Sequence, residues 1–153
     1  MIRGIVRDSK LLSMTCRESY DSDTLSGNES NVIYDLMDTA NSAKHFCAGL
    51  AANQIGHELR IFVMKIKNQF VPMVNPEIVS KSKGFRIEKE GCLSFPGYEA
   101  RKKRHQVIKV SYTDPIKGKF IKAKKLKNME ARIFQHELDH LNGISIKTTK
   151  GER

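Results

Sequence analysis

The sequence predicts an α+β fold, with antiparallel or mixed strands packed around a buried helix that carries metal ligands. Three observations predict it. Four apolar runs, "IFVMKI", "FVPMVNPEIVS", "HQVIKVSYTD" and "GKFIKAKKL", have strand composition and turn-forming flanks. A final helical segment follows them, with apolar residues on nearly every side, which a surface helix does not show. That segment contains "HELDH", and strands that run into one buried helix make an α+β arrangement.

The 153 residues suit one domain spanning 1–153, large enough for a real core. The composition, 39% hydrophobic and 29% charged, excludes a disordered chain. No apolar stretch reaches the ~18 residues of a membrane span, and "MIRGIVRDSK" has no signal-peptide core, so the expected location is the cytoplasm. Cys16, Cys47 and Cys92 are too few for a disulfide framework and read as thiols in a reducing compartment.

Residues 21–31 are polar and turn-rich and predict an exposed loop. A helix is expected after Asn31, with Ile33, Leu36, Met37 and Ala40 at helical spacing. "GLAANQIG" lies between Gly49 and Gly56. Pro72 and Pro76 are expected to interrupt the second strand or push it to an edge. The third and fourth strands pair through "DPIKGK". The last helix is expected from Asn128, as its cap, to Asn142-Gly143, with Glu130 at its positive end and Gly143 as its left-handed stop.

On that helix His136 and His140 point from one face, a turn apart, and can share one metal ion. Glu137 then stands beside any water on the ion. Burying His136, Glu137, Asp139 and His140 together is costly unless they are paired or metal-bound. Two histidines leave a tetrahedral ion short of a ligand. Downstream the sole acidic residue is Glu152, so the third ligand is sought upstream. The candidates are His45, His57, His105, several carboxylates and the three cysteines. Cys92, in "EGCLSFPG", has a glycine before it and Pro96-Gly97 behind it, a setting that displays a thiolate at a bend. Composition alone does not choose among them.

Three segments in order, "GLAANQIG" (49–56), "EGCLSFP" (90–96) and "HELDH" (136–140), resemble the peptide deformylases. Weaker likeness covers almost the whole chain. The resemblance implies hydrolysis of the formyl group from N-formyl-methionyl nascent peptides. It implies Cys92, His136 and His140 as ligands of one divalent ion, ferrous iron in many members, with zinc, nickel or cobalt able to replace it. Glu137 is implied as general base, and the Gln54 amide and Leu93 N–H as donors to the developing oxyanion. Ala48, Gly49 and Gly91 keep the approach open, and Met129 and Ile133 are expected to line a slot for the methionine side chain. Asp139 is expected to orient the helix or a ligand, and the other three histidines to be surface or core residues.

The chain departs from the family pattern at Cys47, where glycine is usual, and at Ala48, where a branched apolar residue is common. Glu99 stands where many bacterial members have arginine. The C-terminal ribosome-contacting helix of many members is not seen, as in compact, including phage-borne, members. Residues 99–127 carry eleven Lys/Arg against two Asp/Glu, whereas residues 1–48 are slightly acidic. That basic stretch is expected to be a solvated hairpin or a weak contact with the ribosome or its RNA. A monomer is expected. Two other functions stand beside the deformylase: a metallopeptidase sharing only the helix motif, and a basic RNA-binding module with a structural metal.

Overall fold

The computed structural model describes residues 1–19 and 27–148. A sheet of five antiparallel strands is ordered β1-β2-β3-β6-β7, built from β1 (Gly49–Ala51), β2 (Ile61–Ile66), β3 (Gln69–Lys81), β6 (Val107–Asp114) and β7 (Lys119–Lys127). β4 (Phe85–Gly91) and β5 (Glu99–His105) form a separate hairpin. The helices are a short α1 (Ser9–Leu12), α2 (Gly27–Ser42) and α3 (Asn128–Leu141).

Strand periodicity explains the layering. In β2, Phe62, Met64 and Ile66 project to one face and pack with Ala131, Ile133, Phe134 and Leu141 of α3. Ile61 and Val63 project to the other and pack with Val32, Ile33, Leu36 and Ala40 of α2. Burial on both faces is why "IFVM" is a continuous apolar run rather than an alternation. The Phe62 and Phe134 rings meet edge to face, 5.2 Å between centroids, and seat α3 on the sheet. The hairpin touches α3 through both of its strands, Glu88 and Glu90 of β4 and Arg104 of β5.

Several expectations change. α2 begins at Gly27, so residues 27–31 are helical rather than loop; residues 21–26 lie outside the described residues. β3 runs unbroken through both prolines and is the middle strand. Pro72 faces Val63 where β3 pairs with β2 alone, because its β6 pairing starts at Val74. Pro76 falls in the register shift between Val74 and Glu77, where a missing N–H costs no ladder bond. The β4–β5 hairpin has no counterpart among the predicted strands. Asn128 has φ 56 and does not cap α3 with its side chain; Lys127 holds the cap position without a side-chain bond. Lys102, in the basic stretch, is buried.

The C-terminus of α3 is pinned. Gly143 takes φ +73, and a Cβ there would come 2.4 Å from the Ser13 carbonyl oxygen. Arg60 donates to the Leu141 carbonyl at 3.0 Å and to Asn142 Oδ1 at 2.8 Å, a cation at the negative end of the helix. Asn53 Nδ2 donates to the His140 carbonyl at 2.7 Å.

Candidate metal centre

Three elements converge on one point. α3 supplies His136, Glu137 and His140. The turn after β4 supplies Cys92, where Phe95 N–H donates to the Cys92 carbonyl at 3.0 Å and Gly97 takes φ +76. The 3-10 helix Ala52–Ile55, after β1, supplies Gln54. Cys92 Sγ and one ring nitrogen each of His136 and His140 lie within 4.8 Å of one another. His140 Nε2 is 3.3 Å from Cys92 Sγ, and the two imidazole centroids are 5.1 Å apart.

The ring nitrogens are sorted by their other contacts. His136 Nδ1 donates to Glu90 Oε1 at 2.8 Å, which leaves Nε2 for the centre. Glu90 is held in turn by Arg104, whose Nε and Nη2 donate to it at 2.9 and 2.8 Å. Arg104 Nη1 reaches Asp139 Oδ2 at 2.5 Å. Asp139 thus bonds the arginine behind the ligand rather than the centre itself. Burial acts to raise the Glu90 carboxyl, but the bonds from Arg104 and His136 outweigh it and hold it down to about 2. Burial acts to lower His136, and its bonds to Cys92 and Glu90 outweigh that and lift it to about 10 in the metal-free protein. Burial, with the nearby positive charge of His136 and Arg104, pushes His140 well below the usual histidine range.

Glu137 is buried against Gly49. An added Cβ at Gly49 would come 2.7 Å from Glu137 Oε2, so only glycine leaves the carboxylate its place. Burial raises this carboxyl to about 7, in the range suited to proton transfer at neutral pH. Its Oε1 is buried and has no hydrogen-bond partner among the described residues. A buried orphan acceptor beside a thiol and two imidazoles fits a hydrated divalent ion. Gln54 is oriented locally: its Oε1 accepts from Ala51 N–H at 3.0 Å. That bond aims its Nε2 at Cys92 Sγ (3.3 Å) and Ser94 Oγ (3.1 Å).

These groups border a cavity of about 330 Å³. Ala48, Gly49, Gln54, Gly91, Cys92, Leu93, Ile133, His136 and Glu137 line it, as do Phe46, Cys47, Lys89, Glu90 and Arg132. A Cβ at Gly91 would meet nothing closer than 3.9 Å, so that position is open space rather than forced packing. Met129 is the exception among the expected residues. It is 53% exposed, does not line the cavity, and places its sulfur 3.1 Å from the Arg132 guanidinium. Helix rotation puts Arg132, ion-paired with Glu88, on the cavity wall instead. His45 is exposed, and His57 and His105 are half-buried.

Sequence reasoning passed over Asn53, Glu90 and Arg104. A signal existed for Glu90 in "EGCLS", two residues before the thiol; Arg104 carried none, since nothing local distinguishes it from Arg101 or Lys103.

An α+β frame that brings a thiol and an HExxH histidine pair around an unpaired buried carboxylate defines a metal-dependent hydrolase. The polypeptide deformylase family profile matches residues 2–150. A peptide deformylase of Clostridium beijerinckii is 41% identical over 147 residues, covering 95% of this chain and 100% of that protein. The crystal structure of the Thermotoga maritima peptide deformylase aligns with a TM-score of 0.83 at 34% identity, covering 95% of each chain. That of Legionella pneumophila aligns at 0.84 and 33%, covering 95% of this chain and 84% of that one. The chain belongs to the peptide deformylase family, metal-dependent hydrolases that remove the formyl group from the N-terminus of nascent peptides. No helix among the described residues is long and apolar enough to cross a membrane.

Proposed function

We propose that Cys92, His136 and His140 hold the divalent ion of this deformylase and that Glu137 is its general base. The observation carrying this is the buried, unpartnered Glu137 Oε1 beside three converging ligand atoms. A bound ion supplies Lewis acidity and lowers the pKa of water to near neutrality. Glu137 takes the proton from water and delivers it to the departing amine of the cleaved formamide. Its burial keeps the carboxyl close to the pH at which it must both accept and donate.

Gln54 Nε2 and the Leu93 backbone N–H donate to the formyl oxygen as it gains charge. Such preorganised donors are worth ~2.7–4 kcal/mol in barrier. The bond from Ala51 N–H supports this role, since it holds the Gln54 amide in one orientation before substrate arrives. Ala48, Gly49, Gly91 and Ile133 leave room for the peptide and its methionine. Met129 acts only from outside, through Arg132. Ferrous iron is the native ion, with zinc, nickel or cobalt as replacements, consistent with a mixed sulfur and imidazole donor set. The domain 1–153 works as a monomer in the cytoplasm, and the exposed basic residues of 99–127 make a weak contact with the ribosome or its RNA.

The test uses formyl-Met-Ala-Ser against the unformylated peptide. Glu137→Gln abolishes turnover and retains the metal; activity in that variant removes the mechanism. Metal analysis of protein purified without oxygen identifies the ion. Neutralising Lys103, Lys109, Lys125 and Lys127 lowers ribosome binding, and unchanged binding removes the RNA contact.

A further inference from the structure

Phe46 is 85% exposed and yet lines the cavity at the metal centre. Its backbone is anchored: Phe46 N–H and Cys47 N–H both donate to the Ala43 carbonyl, at 2.8 and 2.9 Å, in the turn that leads from α2 to β1. Cys47 next to it is buried, with Sγ donating to the Gly49 carbonyl at 3.2 Å. The ring therefore stands at the mouth on a fixed base, two residues from Ala48.

The other apolar lining side chains, Cys47, Leu93 and Ile133, are packed into the walls against the core rather than standing at the mouth. Ala48 contributes one methyl group, and Met129 lies outside the cavity. On the α3 side Ile133 shares the wall with Arg132, whose guanidinium is committed to Glu88 and the Met129 sulfur. Lys89 is exposed and cationic. Among the described residues lining the cavity, Phe46 is the one phenyl, tyrosyl or indole side chain. An exposed phenylalanine loses unfavourable hydration when something apolar covers it, and a thioether beside a ring edge gains a further attraction.

We propose that Phe46 is a specificity-determining residue, its ring packing on the methionine side chain of the bound formyl peptide and supplying the apolar wall that Ala48 does not. This rests on the deformylase reading of the site. The contact is made alike in the ground and transition states, so it acts on KM and leaves kcat alone.

The experiment compares wild type, Phe46→Ala and Phe46→Leu as metal-loaded enzymes on formyl-Met-Ala-Ser and formyl-Ala-Ala-Ser. Phe46→Ala raises KM for the methionyl peptide by about 5–20-fold, the effect of losing part of a buried side chain. Its kcat stays within about twofold, as uniform binding requires. KM for the alanyl peptide does not move, and Phe46→Leu recovers most of the loss. Thermal midpoint and metal content equal those of wild type, because the ring contributes nothing to the core. An unchanged KM, an equal rise for both peptides, or a fall in kcat instead each overturns the proposal while leaving the deformylase reading intact. A wild-type enzyme inert towards formyl-Met-Ala-Ser removes both.

Discussion

His136 Nδ1 lies 2.8 Å from Glu90 Oε1, and this contact decides which imidazole nitrogen faces Cys92. Glu90 is itself gripped by Arg104 through Nε and Nη2. The ligand is thus oriented by a buried ion pair supplied from the β4–β5 hairpin. Glu90→Gln is expected to lower metal affinity ~10–100-fold, read by chelator competition. Arg104→Met removes the cation shared by Glu90 and Asp139, leaves the buried Glu90 with His136 alone, and is expected to cost ~3–5 kcal/mol in urea unfolding.

The same pair sets an acid limit. Glu90 is held down to about 2, below the ~4.3 of an unfolded glutamate. The folded form therefore binds this proton more weakly than the unfolded one. Its stabilisation is complete above about pH 4.3 and is lost as pH falls towards 2. Unfolding free energy of the metal-free protein should fall through this window, and the fall should be smaller in Glu90→Gln.

Metal and proton compete for His136. Its imidazole is lifted to about 10 in the metal-free protein, so it carries a proton at neutral pH. Binding must displace that proton, and apparent affinity should rise by about tenfold per pH unit between about 7 and 9. Calorimetry in buffers of different ionisation enthalpy reads the released proton directly; a pH-independent affinity contradicts this.

Gly49→Ala is expected to damage the base rather than the metal. The new Cβ would meet Glu137 Oε2 at 2.7 Å, so the carboxylate must move. A displacement of that order costs ~10²-fold in rate when a catalytic group leaves its productive position. Metal content should stay at wild-type level, and kcat should carry the loss.

Much of this was legible in sequence because helix and strand periods are local. "HELDH" states its own geometry: a four-residue step returns both histidines to one side of α3, whatever surrounds it. The strands β2, β6 and β7 announced themselves by apolar runs and turn residues. "FRIEKEG" and "EARKKRH" did not, since their hairpin holds itself to α3 by the Arg104–Asp139 and Glu88–Arg132 ion pairs instead of an apolar stripe. Pro72 and Pro76 misled because the position of a strand in a sheet, and the bulge that tolerates a proline, depend on partners far along the chain. Met129 was expected on the cavity wall and Arg132 lines it instead, because the rotation of a helix over a cavity is set by what packs behind it.

By itself the sequence determined the two imidazoles, the acidic residue between the chemistry and the helix, and the strand-forming segments, all of which depend on steps of a few residues. Only the tertiary structure decided that Cys92 Sγ comes within 4.8 Å of both imidazoles, that Arg104 and Glu90 aim His136, that Gly49 yields its side-chain space to Glu137, and that Phe46 stands at the mouth. Periodicity gives a direction around an axis; the separation between two elements follows from how both pack on a common core, and no short stretch of residues contains it.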